Sequence, residues 1–243
     1  MSEPQIIRFD ISEIKAVLFD LDETLIDSIQ GHAGAHKRVS KIIIEYLEKS
    51  KIKIDSGELI LRISNLDDTM NKKFIYDRDK WWPDLIHSVA PKISISKGLI
   101  KELTEEYWQS YALNAKPYTD TIPTLNYLKK NYLLGLISDT DHLSGMKRYR
   151  IDIQPFKYLF NLTLVSGEET KETKPSAEPF LYAAKKLGKN VNECIFVGDK
   201  PFADIEGAKK AGMKTILIYR RDWGYEIEAD YTIRSLSELC GIL

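Results

Sequence analysis

The stretch FDLDETLIDS contains two carboxylates, Asp20 and Asp22, separated by a single residue. The apolar run at residues 17–19 comes directly before them and is typical of a buried strand. Side chains two residues apart on a strand point to the same face, so both carboxylates leave this strand on the same side of the sheet. Two negative charges held this close repel each other, and the folded protein must compensate for them.

Further short apolar runs alternate with amphipathic segments in the second half of the chain. They are LLGLIS at 133–138, LTLVSG at 162–167, CIFVGD at 194–199 and KTILIY at 214–219. This alternation is typical of β-α-β units, which build a parallel sheet with helices on both faces. The sequence therefore predicts an α/β fold whose first strand covers residues 16–22.

Residues 28–115 have a different pattern, because their apolar positions recur at helical spacing. One such stripe consists of Leu99, Leu103, Tyr107 and Tyr111. We therefore expect an α/β core formed by residues 1–27 and 116–243. An all-helical insertion at 28–115 interrupts this core after its first strand.

Ligands of open parallel sheets bind beyond the carboxyl ends of the strands. The side chains at these positions that could do chemistry are Asp20 and Asp22, Ser138 and Asp139, Lys174, and Asp199 with Asp204. Each residue type is common in turns and helix caps when it occurs alone. The combination of aspartates, a hydroxyl and a lysine at successive strand ends favours a functional site.

The order of these residues resembles the four motifs of the haloacid dehalogenase superfamily. The corresponding segments are DLDET at 20–24, LISDT with Ser138, ETKPSAEPF with Lys174, and GDKPFAD with Asp199 and Asp204. The resemblance implies a Rossmann-like parallel sheet core, with the helical insertion as the cap domain that follows the first motif. It also implies a Mg²⁺-dependent phosphatase that hydrolyses a small phosphorylated metabolite.

The resemblance further implies a set of metal ligands. Mg²⁺ is expected to bind the Asp20 carboxylate, the backbone carbonyl of Asp22 and the Asp199 side chain. Hard divalent cations prefer oxygen ligands, and such a cation neutralises charge when a carboxylate attacks an anionic phosphate. Asp204 is expected to bind either the metal or one of its waters.

The catalytic roles follow from the same resemblance. Asp20 is the expected nucleophile, which forms an aspartyl phosphate. Asp22 is the expected general acid and then general base, and repulsion from neighbouring carboxylates would favour its protonated form. Lys174 is expected to balance charge between the phosphate and Asp20. The expected phosphate-binding residues are Ser138, Asp139 through its backbone N–H, Lys174 and Thr24.

Some details around these motifs give further expectations. Glu23 stands where Gly or Asn is frequent in the superfamily, and its side chain is expected to point to solvent. Asp139 stands where Asn is frequent, and its side chain is expected to turn away from the phosphate. Thr24 is expected to orient Asp22 or its loop. Ser176 is expected to cap the helix that follows Lys174.

Substrate specificity is expected to come from the insertion, because the core motifs account only for phosphate and metal. Its adjacent tryptophans, Trp81 and Trp82, cannot share one helix face. Packing of both within the insertion is favoured over a position at the domain interface. Arg78 lies beside Asp77 and Asp79 and is expected to form a solvated ion pair.

Composition argues against several other classes of protein. The 243 residues include 35 Lys and Arg and 36 Asp and Glu, which gives a net charge of -1 without a basic run for nucleic acid or an anionic membrane. No apolar run reaches the roughly 18 residues that cross a bilayer. The start MSEPQIIRFD lacks a signal-peptide pattern, and Cys194 and Cys240 lack metal-ligand spacing. A cytoplasmic location is therefore expected.

Two other functions stay open at this point. A β-phosphoglucomutase-like phosphomutase shares the core and the cap position, but it must protect its phosphoenzyme from water. A receiver-like phosphorylation switch also has an acceptor aspartate in an α/β domain, although the insertion and the order of Lys174 and Asp199 argue against it. Steady release of phosphate distinguishes a phosphatase from a mutase.

Overall fold

The structure is a computed structural model that describes residues 10–73 and 75–243. It divides into two compact units, which we call the sheet unit and the helical unit. The sheet unit contains the chain up to Asp27, Pro117–Thr140 and Lys147–Leu243, and the helical unit contains Ser28–Lys116 and Asp141–Met146. Residues 1–9 of the expected core segment, with most of the MSEPQIIRFD start, lie outside the described residues. The observed units differ from the expected boundaries mainly at 141–146.

A six-stranded parallel sheet forms the centre of the sheet unit. The strands of the chain are β1 Ala16–Phe19, β2 Ile26–Asp27, β3 Lys116–Pro117, β4 Leu133–Asp139, β5 Leu162–Ser166, β6 Cys194–Gly198, β7 Lys214–Ile218 and β8 Tyr231–Ile233. The order across the large sheet is β5-β4-β1-β6-β7-β8, and its pairings are parallel. Strands β2 and β3 form a second, two-stranded sheet. The predicted α/β fold with a parallel sheet is confirmed.

Helices account for most of the remaining structure. They are α1 Ser28–Glu48, α2 Ser56–Lys72, α3 Trp81–Val89, α4 Lys97–Asn114, α5 Thr121–Leu128, α6 Met146–Asp152, α7 Glu178–Lys186, α8 Glu206–Ala211 and α9 Leu239–Ile242. A π-helical turn at Pro201–Ile205 precedes α8. Single 3-10 turns lie at Ile11–Glu13, Arg78–Lys80, Lys157–Leu159, Val191–Glu193 and Leu236–Glu238. None of the helices in the described ranges is both long and apolar enough to cross a membrane.

The first strand is shorter than the sequence pattern predicts. Strand β1 ends at Phe19, although the Asp20 N–H still donates to the Val197 carbonyl at 3.0 Å. The chain then turns tightly, and the N–H groups of Leu25 and Ile26 both donate to the carbonyl of Leu21. The turn explains the difference, because the pairing of β1 with β4 and β6 ends at Phe19 and Asp22 forms only an isolated bridge to Ile26.

An apolar layer supports the strands that carry the polar residues. Leu18 of β1, Phe196 of β6 and Phe180 of α7 are fully buried in it. The rings of Phe180 and Phe196 meet edge to face with 4.9 Å between their centroids. Such edge-to-face packing fixes the orientation of both rings. The strand ends therefore project from a tightly packed base.

A buried carboxylate, Asp67 of α2, organises the interior of the helical unit. Its Oδ2 lies 2.7 Å from the Tyr107 hydroxyl, 3.0 Å from His36 Nε2 and 3.0 Å from His32 Nδ1. Burial alone would raise the pKa of Asp67, but His32 and Arg78 hold it well below its usual value. Asp67 is therefore a buried negative charge that several helices share.

Arg78 is buried inside the helical unit, so the expectation of a solvated ion pair is wrong. Its guanidinium lies 3.4 Å from Asp67 Oδ1 and 3.2 Å from the Tyr107 hydroxyl. The same group lies 3.8 Å from the ring centroid of Trp81 and 4.6 Å from that of Trp108. The carboxylate and the aromatic faces replace the water that the guanidinium loses.

Trp81 and Trp82 are both fully buried within the helical unit, as the sequence analysis favours. The Trp81 indole N–H donates to the Ile75 carbonyl at 3.1 Å, and the Trp82 indole N–H donates to the Thr104 hydroxyl at 2.8 Å. With both ring faces and both N–H groups engaged inside the unit, these residues stabilise its packing.

We predict that Asp67→Asn lowers the free energy of unfolding by about 3–5 kcal/mol, because it leaves the buried Arg78 charge without its carboxylate. Urea unfolding measures this loss. The pKa of Asp67 is lower in the folded than in the unfolded protein, so its stabilisation is present above the unfolded-state pKa and is lost as the pH falls. The difference in the free energy of unfolding between wild type and Asp67→Asn should therefore shrink below about pH 4.

The matched control for this prediction is Glu102→Gln, which removes an exposed carboxylate from α4. An exposed substitution of this kind changes stability by only about 0.5 kcal/mol. Equal losses in the two variants, or a loss in Asp67→Asn that does not depend on pH, would contradict the role assigned to Asp67.

Candidate active site

The carboxyl ends of β1, β4 and β6 bring the predicted site residues together. Strand β1 pairs with β4 on one side and with β6 on the other, and both pairings are parallel. Asp20 directly follows β1, Ser138 and Asp139 end β4, and Asp199 directly follows β6. These side chains therefore leave the sheet at one edge, as the sequence predicts.

Lys174 bridges two buried carboxylates at this edge. Its ammonium group donates to Asp20 Oδ1 at 2.6 Å and to Asp204 Oδ1 at 2.7 Å. Burial alone would lower the pKa of Lys174, but Asp20 and Asp204 hold it well above its usual value. Lys174 is therefore a fixed positive charge beside the predicted nucleophile.

Asp199 has a carboxylate oxygen that no protein group satisfies. Its Oδ1 is buried and has no hydrogen-bond partner in the part of the chain that the structure describes. Ligand oxygens of Asp20, Asp199 and Asp204 lie within 4.8 Å of one another. Burial is the main cause that raises the pKa of Asp199 well above its usual value, and the charge of Asp204 adds to this effect. Burial also raises the pKa of Asp20, although the charge of Lys174 opposes the shift. This set of oxygen donors fits a hard divalent cation.

Asp204 differs from Asp199, because both of its oxygens accept hydrogen bonds from the protein. Oδ1 accepts from Lys174, and Oδ2 accepts from the backbone N–H of Lys200 at 3.0 Å. A glycine is needed beside it, since a Cβ on Gly198 would lie 2.5 Å from the Asp204 side chain. Gly198 therefore allows the π-helical turn to approach the end of β6.

Asp22 is held by two cations that its sequence context does not reveal. Lys147 Nζ donates to Asp22 Oδ2 at 2.7 Å, and Arg150 Nη2 donates to Oδ1. Both cations lie on α6 and are buried. These two cations oppose the carboxylate repulsion that is expected to favour the protonated form of Asp22. The spacing of Lys147 and Arg150 places them on one helix face, but no local pattern links α6 to the first motif.

Glu23 and Thr24 occupy the tight turn after Asp22. Glu23 adopts a left-handed backbone with φ of 60°, a conformation that favours Gly and Asn. The expectation that its side chain points to solvent is wrong, because Glu23 is 5% exposed and accepts from the Tyr118 hydroxyl at 3.2 Å. Thr24 is fully buried, and its hydroxyl has no hydrogen-bond partner within the described ranges. An orienting hydrogen bond from Thr24 to Asp22 is therefore not formed.

The Asp139 side chain turns into the neighbouring loop, as expected. Its Oδ1 accepts from the Ser166 hydroxyl at 2.5 Å and from the Lys174 N–H at 3.1 Å. These bonds join the end of β4 to the segment that carries Lys174. The Ser176 hydroxyl accepts from the Glu178 N–H at 3.2 Å. Glu178 is the first residue of α7 and Ala177 is its N-cap, so Ser176 caps this helix from the position before the N-cap.

A second group of potential metal ligands, in the helical unit, has a structural explanation. His32, His36 and Asp67 present ligand atoms within 4.8 Å of one another. Asp67 has donors on both oxygens, Tyr107 on Oδ2 and Asn71 on Oδ1, and Arg78 balances its charge. Unlike Asp199, Asp67 therefore has protein partners on both oxygens and needs no metal ion.

Comparison with known proteins agrees with this geometry. The family model described as haloacid dehalogenase-like hydrolase matches residues 14–212. The glyceraldehyde 3-phosphate phosphatase of Methanocaldococcus jannaschii is 33% identical over an alignment of 247 positions, gaps included, which covers 95% of this chain and 97% of that protein. The N-acylneuraminate-9-phosphatase of Homo sapiens is 27% identical over 244 residues, which cover 96% of this chain and 95% of that protein.

A solved structure shows the same architecture. The crystal structure of a HAD phosphatase from Thermococcus onnurineus superposes with a TM-score of 0.66 and 28% identity, and the match covers 94% of this chain and 97% of that chain. The present chain therefore belongs to the haloacid dehalogenase-like hydrolases. The prediction of a phosphoric monoester hydrolase is confirmed.

Proposed function

We propose that this chain is a Mg²⁺-dependent phosphatase that hydrolyses a small phosphorylated sugar through an aspartyl phosphate on Asp20. The observation that carries the proposal is the buried Oδ1 of Asp199, which lacks a donor in the described structure, on a carboxylate that is grouped with those of Asp20 and Asp204. A buried oxygen without a partner costs about 1–3 kcal/mol. A divalent cation would remove this cost and offset the excess negative charge.

The groups that would bind Mg²⁺ are the carboxylates of Asp20 and Asp199 and the backbone carbonyl of Asp22. The bound ion would neutralise the phosphate and orient it for attack. We assign Asp204 to the support of Lys174, because protein donors already occupy both of its oxygens. Ser138 and the backbone N–H of Asp139 would bind the phosphoryl oxygens.

In the first step, a carboxylate oxygen of Asp20 attacks phosphorus in line with the ester oxygen. Lys174, which is bonded to Asp20 Oδ1, fixes this carboxylate and offsets charge while the new bond forms. The ester P–O bond breaks, and Asp22 donates its proton to the departing oxygen.

In the second step, Asp22 accepts a proton from water while the water oxygen bonds to phosphorus. The bond between phosphorus and Asp20 breaks, which releases inorganic phosphate and restores the carboxylate. Lys147 and Arg150 bond the two oxygens of Asp22. Asp22 must therefore release at least one of these contacts to exchange a proton with the substrate or the water.

Sugar phosphates are the substrate class that we favour. The two relatives are named for glyceraldehyde 3-phosphate and N-acylneuraminate 9-phosphate, which are both phosphate monoesters of sugars. We further propose that the helical unit acts as the cap that selects the sugar, since the groups of the sheet unit account for phosphate and metal. A cytoplasmic location would fit an enzyme that acts on such small metabolites.

We predict that phosphate release from p-nitrophenyl phosphate and from glyceraldehyde 3-phosphate requires Mg²⁺. Activity should disappear in excess EDTA and return when Mg²⁺ exceeds the chelator. Colorimetric measurement of inorganic phosphate follows both substrates. Steady release from the sugar phosphate would identify a phosphatase, whereas transfer to a second sugar hydroxyl without release would identify a mutase. Full activity in thoroughly chelated buffer would rule out the magnesium mechanism.

We predict that Asp20→Asn and Asp22→Asn fail at different steps. Asp20→Asn removes the attacking charge, so no phosphoenzyme should form. Asp22→Asn keeps the backbone carbonyl proposed for Mg²⁺. It removes proton transfer, which typically contributes about 10² to 10⁴ in rate, together with the carboxylate charge that pairs Lys147 and Arg150. An activated ester needs little acid catalysis, so this variant should accumulate phosphate on Asp20 when it reacts with p-nitrophenyl phosphate.

Mass spectrometry of acid-quenched, digested samples locates the modification in this experiment. Wild type provides the control, because it should lose the phosphate quickly. Phosphate on another residue, or normal turnover by Asp20→Asn, would overturn the assignment of the nucleophile.

A further inference from the structure

The indole of Trp223 contacts the carboxylate of Asp199 within the sheet unit. Its Nε1 donates to Asp199 Oδ2 at 3.1 Å. Trp223 lies between β7 and β8, outside the four motifs of the sequence. Its hydrogen bond engages one oxygen of Asp199, and the other oxygen, Oδ1, is the buried atom without a donor in the described structure.

Three neighbours fix the orientation of this indole. The ring of Phe202 meets it edge to face, with 5.4 Å between the centroids. The Arg221 guanidinium lies 3.9 Å from its ring centroid, and the Lys200 ammonium lies 5.7 Å from it. Cations at a ring face are attracted to its π electrons, so they hold the indole in place. The direction of the N–H is thus set by contacts on several sides.

We propose that Trp223 is a positioning residue of the metal site, whose N–H holds the Asp199 carboxylate so that only Oδ1 faces Mg²⁺. This inference rests on the proposed function, because it requires Asp199 to bind the ion. Residues that hydrogen-bond to metal ligands fix the orientation of those ligands, and their loss typically weakens metal binding by about 10-fold to 100-fold.

The same hydrogen bond favours Mg²⁺ over Ca²⁺. Mg²⁺ is small and requires near-ideal octahedral geometry, whereas Ca²⁺ accepts both oxygens of one carboxylate. With Oδ2 engaged by Trp223, Asp199 offers a single oxygen, which suits Mg²⁺. Loss of the indole N–H frees Oδ2 and removes this preference.

The test compares metal binding to wild type and Trp223→Phe by isothermal titration calorimetry. Phenylalanine keeps an aromatic ring against Phe202 and lacks the N–H. We expect Mg²⁺ to bind the variant at least about 10-fold more weakly. Ca²⁺ affinity should fall less than Mg²⁺ affinity, so the ratio of the two dissociation constants should shift toward Ca²⁺.

Tyr225→Phe provides the matched control in the same segment. The Tyr225 ring also contacts Phe202, with 5.8 Å between the centroids, but its hydroxyl lies 3.1 Å from Glu206 and not beside Asp199. This variant should bind Mg²⁺ and Ca²⁺ as wild type does. An equal loss of Mg²⁺ affinity in both variants would assign the effect to the packing of the segment and would overturn the role of the indole N–H.

A second measurement follows the wild-type protein and uses the Trp223→Phe variant only to assign one resonance. Nitrogen-15 labelling reports the indole N–H resonances, and the Trp223 signal is the one that Trp223→Phe loses. This signal should shift when Mg²⁺ is added, because the carboxylate that accepts its hydrogen bond through Oδ2 then binds the metal through Oδ1. A signal that Mg²⁺ leaves unchanged would overturn the proposal for Trp223.

The outcomes separate this inference from the function on which it rests. Absence of Mg²⁺ binding to wild type would refute the proposed metal site itself. Mg²⁺ binding to wild type with the same affinity in Trp223→Phe would leave the proposed function standing and would refute only the positioning role.

Discussion

Charge compensation at the carboxyl edge of the sheet is the constraint on which the rest of the site depends. Asp20, Asp199 and Asp204 bring three buried carboxylates together, and Lys174 contributes one buried positive charge among them. Lys174 bonds Asp20 and Asp204, so the uncompensated charge falls on Asp199, whose pKa burial and Asp204 raise. A parallel sheet creates this arrangement because neighbouring strands end at the same edge. The repulsion that results calls for a cation at the same place.

The two carboxylates of the first motif are compensated separately, and this separation suits their different proposed roles. Asp20 faces Lys174, whereas Asp22 faces Lys147 and Arg150 on α6. A nucleophile that stays in a fixed position needs a rigid partner, and Lys174, which is buried and bonded to two carboxylates, provides one. A proton carrier must change partners, and the contacts of Asp22 come from a helix outside the sheet. In the proposed mechanism, one side of the motif would therefore bind phosphorus and the other side would exchange protons.

Local rules explain which parts of this structure could be predicted from the sequence. The period of two in a strand and the polar residues at strand ends are local features, so the sheet, Asp20 and Asp199 follow from them. Lys174 lies in the loop between β5 and α7, and the motif resemblance is what indicates its role. The partners of Asp22 lie 125 and 128 residues away, and no local pattern selects them. Glu23 departs from the expectation because its turn has a left-handed backbone and its side chain is buried. Arg78 departs from it because aromatic rings, including Trp108 of α4, enclose its guanidinium. Such contacts depend on tertiary packing, which overrides the usual preference of charged residues for solvent.

Thermal unfolding of wild type and Asp199→Asn, each in EDTA and in excess Mg²⁺, tests the central claim most directly. In EDTA, Asp199→Asn should have a higher Tm than wild type, because it removes one of the mutually repelling carboxylates. Mg²⁺ should raise the Tm of wild type, because it binds only the folded protein, and should have little effect on the variant. A variant that is less stable than wild type in EDTA and gains as much from Mg²⁺ would contradict the account.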